Sequence, residues 1–330
     1  MSFPRAGPEK GSERGGRLRE VANVKVLVTG GAGFIGSSIA EVLIRGGADV
    51  RILDNLSTGF RENVPDRAEL IEGDLVEPGD VRAAVQGVDV VFHQAAIRSV
   101  PRSVDDPVSS HEANATGTLN LLVASGAEGV GRVVYASSSS VYGDPAEPLR
   151  REEQTPDPIS PYGASKLAAE LYCRVWTRVH GLPTVSLRYF NVFGPRQHPE
   201  SKYAAVFPAF IAALTEGRPP EVHWDGEQTR DFTYIDDVVA ANLRAAEAGP
   251  EADGHVFNIG GGRAKSVNEV LRSVADAVGA WIDPLSSPRR AGDVRDTLAD
   301  ITRARDVLSW EPRTSWEAAV AATVDWFRSR

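Results

Sequence analysis

The chain is poor in cysteine, in net positive charge and in long apolar runs. Cys173 is the single cysteine among 330 residues, so no disulfide can form within the chain. That fits a reducing, cytoplasmic setting. No uninterrupted apolar stretch approaches the ~18 residues that a membrane helix needs, and no membrane association is expected. Lys and Arg number 36 against 45 Asp and Glu, a formal net charge of −9. General binding to nucleic acid or to an anionic membrane needs the opposite balance. The six histidines, at 93, 111, 180, 198, 223 and 255, are scattered. None stands at zinc-site spacing from a second ligand, so no metal is expected. Residues 1–22 are rich in Gly, Arg and Glu and lack the apolar stretch of a secretory signal. They read as a disordered tail.

What is present is ordinary for a globular protein: 42% hydrophobic and 25% charged residues. The length fits about two domains, or one large α/β domain with an extension. Short apolar runs at Lys25–Thr29, Asp49–Asp54, Ala68–Glu72, Val88–His93, Arg132–Ala136 and Thr184–Leu187 read as strands. Helical spacing from Phe34 to Ile44, and over Val104–Ala124 and Ser160–His180, alternates with them. This alternation predicts a Rossmann-type, doubly wound parallel sheet. After about residue 190 the pattern changes. Helices are expected at Phe207–Thr215, Ile235–Ala248, Val267–Val278, 302–308 and 315–328. Strands are expected at Glu221–Trp224, Thr229–Phe232 and His255–Ile259. The expected division is a dinucleotide-binding domain over 23–190 and a smaller mixed α/β lobe over 191–330, with parts of 230–262 returning to the first.

The first strand runs into Thr29–Gly30–Gly31–Ala32–Gly33–Phe34–Ile35–Gly36. Gly30 permits a tight turn, Gly33 lets backbone approach a pyrophosphate, and Gly36 lets the following helix pack closely. The helix start, around Phe34 and Ile35, then offers free N–H groups to the phosphates. Asp54 ends the second strand 18 residues after Gly36. An acid there accepts bonds from ribose hydroxyls and repels a 2′-phosphate, which favours NAD over NADP. Asp74 and Leu75 follow the third strand and are placed to frame the adenine. Gln94, Ala95 and Ala96 follow the fourth, where small residues let a dinucleotide lie on the backbone.

Tyr162 and Lys166 are four apart in a helical pattern and share a face. A lysine ammonium beside a phenol lowers its pKa, giving a base that can take a proton from a sugar hydroxyl. The run Ser137–Ser138–Ser139–Ser140 ends the fifth strand and offers a hydroxyl to the reacting oxygen.

With both pieces behind a dinucleotide turn, the sequence resembles the extended short-chain dehydrogenases/reductases. Within them it resembles the nucleotide-sugar 4-epimerases of the UDP-glucose and UDP-N-acetylglucosamine type. The resemblance covers about residues 24–328. It rests on TGGAGFIGS at 29–37, DNLSTG at 54–59, GDL at 73–75, HQAA at 93–96, SSSSVYGD at 137–144 and SPYGASK at 160–166. It continues with LRYFNVFGPRQ at 187–197, RDFTYIDDV at 230–238, NIGGG at 258–262 and RAGDVRDTLAD at 290–300. It implies Tyr162 as base, Lys166 as its partner and a ribose ligand, and Ser138 as the third member of the triad. It implies that Asn55, Ser57, Thr58 and Gly59 hold the adenosine ribose and its phosphate, and that Phe190 flanks the nicotinamide. Asn191, Ala205, Val206, Arg230, Arg290 and Asp293 would meet UDP, with the two arginines as diphosphate clamps. Ser139 and Ser140 would line the sugar, and Trp224 is a candidate for stacking on uracil.

The implied reaction is oxidation at sugar C4 to a transient 4-keto sugar and return of hydride to its other face. NAD would be regenerated at each turnover and stay tightly bound. A homodimer through the helices at 104–124 and 160–180 is the family habit. Relatives that eliminate water carry Asp–Glu after the triad hydroxyl, where this chain has Ser139 and Ser140. The acid typical of glucuronate decarboxylases is absent from the same loop. UDP-glucuronate 4-epimerases and a non-catalytic NAD(H)-binding regulator remain as alternatives; the Tyr162–Lys166 pair speaks against the regulator. Thr297, seven residues after Arg290, is small where glucose-restricted relatives can carry Tyr. It leaves room for an acetamido group.

Overall fold

The computed structural model describes residues 24–197, 205–289 and 294–329. The expected tail at 1–22 lies outside them. Seven parallel strands form the central sheet: β1 (Lys25–Thr29), β2 (Asp49–Asp54), β3 (Glu69–Glu72), β4 (Val90–His93), β5 (Arg132–Ser138), β6 (Thr184–Tyr189) and β7 (His255–Ile259). Their order is β7-β6-β5-β4-β1-β2-β3. β1 pairs with β2 on one side and β4 on the other, with Val26 opposite both Val50 and Val90. The chain direction across the sheet reverses there, which opens a crevice at the carboxyl ends of those strands.

Side chains alternate across each strand, so every strand feeds two cores. Val26, Val28, Ile52, Phe92, Val134 and Leu187 face one side. There they meet α1 (Phe34–Arg45) and a long helix at Ile235–Glu247. Leu27, Leu53, Val91, Val133 and Tyr135 face the other, covered by α2 (Pro78–Val85), α3 (Gly117–Glu128) and α4 (Pro161–Val175). β6 is wholly buried yet alternates in polarity: Val185, Leu187 and Tyr189 join the first core, while Thr184, Ser186 and Arg188 do not.

One helix expectation needs correction, and a second holds with a change of winding in its last turn. The helix expected over Val104–Ala124 is interrupted. Helical turns at Val100–Asp105 and Pro107–His111 are separated at Asp106, because Pro107 has no N–H to continue the ladder. The Asp106 carboxylate accepts from Ser109 N at 3.1 Å and starts the second segment. A π-turn at Glu112–Thr116 then leads into α3. The helix expected over Ser160–His180 is α4 plus a second π-turn, Trp176–His180, closed by Gly181 at φ 71°.

Beyond the sheet, two-residue or three-residue strands tie distant segments together. Leu149–Arg150 pairs with Leu298–Ala299, Val192–Phe193 with Thr233–Tyr234, and Thr229–Asp231 with Ala264–Ser266. Glu221–His223 pairs with Leu285–Ser287. Most of these had no periodic signature long enough to read. Among the described residues no helix is long and apolar enough to cross a membrane.

Candidate active site

A cavity of about 700 Å³ opens over the carboxyl ends of the central strands. Gly30, Gly33, Phe34, Ile35 and Gly36 form one wall. A Cβ on Gly36 would stand 2.2 Å from the Gly30 carbonyl oxygen, so only glycine lets α1 start this close to β1. No side chain caps α1 and its first turn carries no acid. Its leading N–H groups are therefore free to bind an anion. Asp54 lies beside them and fixes the turn: Oδ2 accepts from Ala32 N and Oδ1 from Leu56 N, both at 2.9 Å. A carboxylate has about four acceptor sites, so others remain for a ligand hydroxyl. Asn55, Ser57, Thr58, Gly59, Asp74, Leu75, Gln94, Ala95 and Ala96 line the same cavity. Asn55 Nδ2 donates to Asp74 Oδ2 at 2.8 Å, which joins the ends of β2 and β3.

The opposite wall holds Ser138, Ser139, Ser140 and Tyr162. Ser160 caps α4, accepting from Gly163 N at 3.1 Å, with Pro161 at the first helical position. A Cβ on Gly163 would meet the Ser140 carbonyl oxygen at 2.6 Å. That close approach presses the start of α4 against the serine turn. The Ser103 hydroxyl accepts from Tyr162 N at 3.0 Å. Asn114, presented by the first π-turn, donates to Ser165 Oγ at 3.0 Å and to the Ile97 carbonyl at 3.1 Å.

The electrostatics differ from the sequence expectation. Burial raises the Tyr162 phenol, and hydrogen bonding from Ser138 and the charge of Arg98 only partly oppose it. Lys166 is itself 3% exposed, and burial lowers its ammonium to about 7. Its Nζ lies 4.8 Å from the centroid of the Tyr135 ring. The expected lowering of the phenol by Lys166 is thus not seen. Burial of the phenol outweighs the influences that oppose it, and the charge of Lys166 is not among them.

The substrate-side residues fall into three groups. Asn191, Ala205, Arg230 and Thr297 line the cavity. Arg230 donates to the carbonyls of Thr229, Val294 and Arg295 at 2.7–3.0 Å, which fixes its guanidinium at the cavity edge. Thr297 is buried and its hydroxyl has no hydrogen-bond partner. Val206, Trp224 and Phe190 do not line the cavity. Trp224 instead lies between ring contacts with Arg289 and Arg295, 4.4 and 4.6 Å from its centroid. Phe190 is fully buried against Tyr142, with ring centroids 6.4 Å apart, while its neighbour Tyr189 turns to the cavity. The two side chains leave the chain after β6 on opposite sides. Arg290, Asp293 and the motif residues at 198–204 lie outside the described residues.

Other lining residues were given no role from sequence. Arg98 and Arg102 come from the segment before α3, Ser109 and Glu112 from the interrupted helix, and Gln197 from the end of the GPRQ run. Gln197 sits inside a legible motif and Arg98 two residues beyond one, but nothing local marks which side chain turns inward.

The family model described as "NAD dependent epimerase/dehydratase family" matches residues 26–260. A UDP-glucose 4-epimerase of Mycolicibacterium smegmatis is 40% identical over 93% of this chain and 99% of its own length. The crystal structure of a UDP-glucose 4-epimerase from Thermotoga maritima with UDP-glucose superposes with a TM-score of 0.90 at 39% identity, covering 93% of this chain and 99% of that one. A UDP-N-acetylglucosamine 4-epimerase of Methanobrevibacter ruminantium, in complex with UDP-N-acetylmuramic acid, gives a TM-score of 0.89 at 38% identity, with the same coverage. With a family model matching residues 26–260 and relatives along nearly its full length, the chain belongs to the NAD-dependent epimerase/dehydratase family of extended short-chain dehydrogenases/reductases.

Proposed function

We propose that the protein is an NAD-dependent 4-epimerase of UDP-sugars that accepts UDP-N-acetylhexosamines as well as UDP-hexoses. The observation that carries this reading is the convergence of Ser138 and Tyr162 on a cavity whose other wall is the uncapped start of α1 beside Asp54. These residues fit a dinucleotide. The α1 N–H groups suit its diphosphate, Gly33 leaves room for close approach, and Asp54 suits a ribose diol. NAD, when bound, supplies a reversible hydride acceptor at the sugar carbon.

The chain's own residues do the rest. Tyr162 Oη takes the proton of the sugar O4 hydroxyl and returns it after the ketone has turned. Ser138 Oγ hydrogen-bonds that same oxygen and orients it, while Lys166 supports the phenolate. Arg230, held by three carbonyls, offers directed donors to the UDP diphosphate. The sugar is held loosely and the nucleotide firmly, so the ring can present either face. Thr297 leaves volume and an unpartnered hydroxyl beside the ring, which supports an acetamido-tolerant pocket.

A homodimer belongs to the same proposal. Val104, Val108, Leu171, Tyr172, Val175 and Val179 are exposed apolar residues along the two helical stretches named from sequence. The single buried thiol, Cys173, accords with a cytoplasmic site of action.

Incubating purified protein with UDP-GlcNAc and no added cofactor tests the proposal. UDP-GalNAc detected by NMR supports 4-epimerisation, retained NAD and acetamido tolerance together. No conversion of UDP-GlcNAc, UDP-glucose or UDP-glucuronate by protein that releases NAD on denaturation overturns it.

A further inference from the structure

Behind the serine turn lies a buried ion pair that the reaction as described does not use. Arg188 on β6 and Glu170 on α4 are 2% and 5% exposed. Arg188 Nη2 donates to Glu170 Oε1 at 2.6 Å and Nε donates to Oε2 at 2.9 Å. Ser137 Oγ donates to the same Oε2 at 2.8 Å. Ser137 and Arg188 are register partners on adjacent parallel strands, so their side chains leave the sheet on one face. The Arg188 guanidinium also lies 4.6 Å from the centroid of Tyr142, whose hydroxyl donates to Asn258 Oδ1 at 2.7 Å.

Two features of this pair bear on the active site. Ser137 directly precedes Ser138, and Glu170 stands one helical turn after Lys166. Residues four apart share a helix face, so a Glu170 carboxylate released from Arg188 can turn toward Lys166. A buried ion pair is weak evidence for stability, because well-packed apolar residues of the same volume often serve as well. Its geometry matters more here.

We propose that Arg188 is a positioning residue: by occupying both oxygens of Glu170 it keeps that charge off Lys166, and through the shared Ser137 bond it locks the strand end bearing Ser138 to the helix bearing Tyr162 and Lys166. The catalytic consequence rests on the 4-epimerase reading; the electrostatic one does not. Tyr135 from β5, His93 from β4 and Cys173 from its own helix act on or touch Lys166, and Tyr162 and Glu170 stand four residues before and after it on that helix. Among these described neighbours Glu170 is the one carboxylic acid, and so the group that can recouple to Lys166.

The chain has five lysines, which makes the Lys166 side chain resolvable by NMR of protein labelled with 13C at the lysine ε-carbon. In Arg188→Gln the Lys166 titration should move up by about one unit or more. It should return toward the wild-type value in Arg188→Gln/Glu170→Gln, where both charges are gone. Ser137→Ala should leave the titration in place while kcat falls several-fold at unchanged KM. A merely structural role lowers the melting temperature of Arg188→Gln with the Lys166 titration unmoved, and that result overturns the proposal. Should Arg188→Gln not fold, Arg188→Lys keeps the charge but loses the two-pronged contact. An unchanged titration and an unchanged kcat in that variant likewise overturn it. If the wild type epimerises no UDP-sugar, the functional reading fails while the titration still decides the electrostatic claim.

Discussion

Thr29 Oγ1, at the end of β1, lies 2.7 Å from His93 Nδ1, at the end of the neighbouring β4. The proton positions in this contact follow from its neighbours. Thr118 Oγ1 donates to the Asn114 carbonyl at 2.6 Å, so its one proton is used. His93 Nε2, 2.8 Å from Thr118 Oγ1, must then be the donor, and Nδ1 accepts from Thr29. Thr29 Oγ1 in turn accepts from Ala95 N at 3.3 Å. A neutral imidazole thereby ties the phosphate-binding turn, the Gln94–Ala96 segment and the start of α3 into one hydrogen-bonded unit.

That imidazole gives the protein an acid-labile point. Burial, and next the charge of Lys166, lower His93 to about 3 from an ordinary 6.5. Between those values the unfolded chain binds the proton and the folded chain does not, so stability falls as pH drops below about 6.5. The contribution reaches about 2–3 kcal/mol by pH 4.5. His93→Gln should be less stable at pH 7, through lost hydrogen bonds, but its urea midpoint should fall less steeply between pH 7 and 5. A wild-type slope equal to that of the variant would remove His93 as the cause.

Tyr162→Phe should lower kcat by about 10²–10⁴-fold with NAD still retained, since only the proton carrier is lost. Arg98→Gln probes the charge that acts on the phenol. Removing a cation raises the phenol further, so the phenolate-dependent limb of the pH–kcat profile should move to higher pH. Arg98 is exposed at the cavity mouth, so solvent screening holds the shift to about one unit or less. Activity lost at pH 7 should therefore be largely recovered by pH 9. A uniform loss at every pH would assign Arg98 to substrate binding instead.

Legibility tracked the range of the forces involved. β1 and β7 could be read to the residue because both are short, mostly apolar runs of sheet-forming residues. The helix at Val267–Val278 is as sharply marked, with a Ser266–Glu269 capping box and Gly279 at φ 77°. The break at Asp106 was equally local, through Pro107, but apolar spacing outweighed it in the reading. The direction of the Tyr162 shift depends on burial by segments far apart in the chain. Asp231 shows the same limit: it sits in a motif that assigns it no role. Folded, its carboxylate accepts from Gly261 N, Gly262 N and Ala299 N, and burial raises it to about 6. It ties both the NIGGG turn and Ala299 to the strand carrying Arg230, across 30 and 68 residues of chain, contacts that no local pattern encodes.

The glycines of the cofactor wall make a paired test. Gly36→Ala places a Cβ 2.2 Å from a backbone oxygen that cannot swing aside. The turn must shift, so bound NAD should be lost on purification and the melting temperature should fall by several degrees. Gly79, in α2, has nothing within 4 Å of the added Cβ. Gly79→Ala should raise stability by about 0.5–1 kcal/mol, through helix propensity alone, and keep NAD. Equal behaviour of the two variants in NAD content and melting temperature would show that the close contact in the turn is not limiting.

Thr297 separates substrates by volume. Its side chain is 6% exposed, lines the cavity and has an unpartnered hydroxyl, and its N–H donates to the Thr229 carbonyl at 3.2 Å. The backbone at this position is thus pinned to the strand that carries Arg230, and a larger side chain can expand only into the cavity. Thr297→Tyr adds an aromatic ring there, and overfilling a tight site costs about 1–3 kcal/mol. The kcat/KM for UDP-GlcNAc should fall by about 10- to 100-fold, since the acetamido group competes for the same volume. UDP-glucose lacks that group, so its kcat/KM should stay within about threefold. Because the UDP contacts are common to both substrates, a nucleotide-binding defect would lower the two together. A parallel loss would therefore place Thr297 beside the nucleotide and leave acetamido tolerance to other residues.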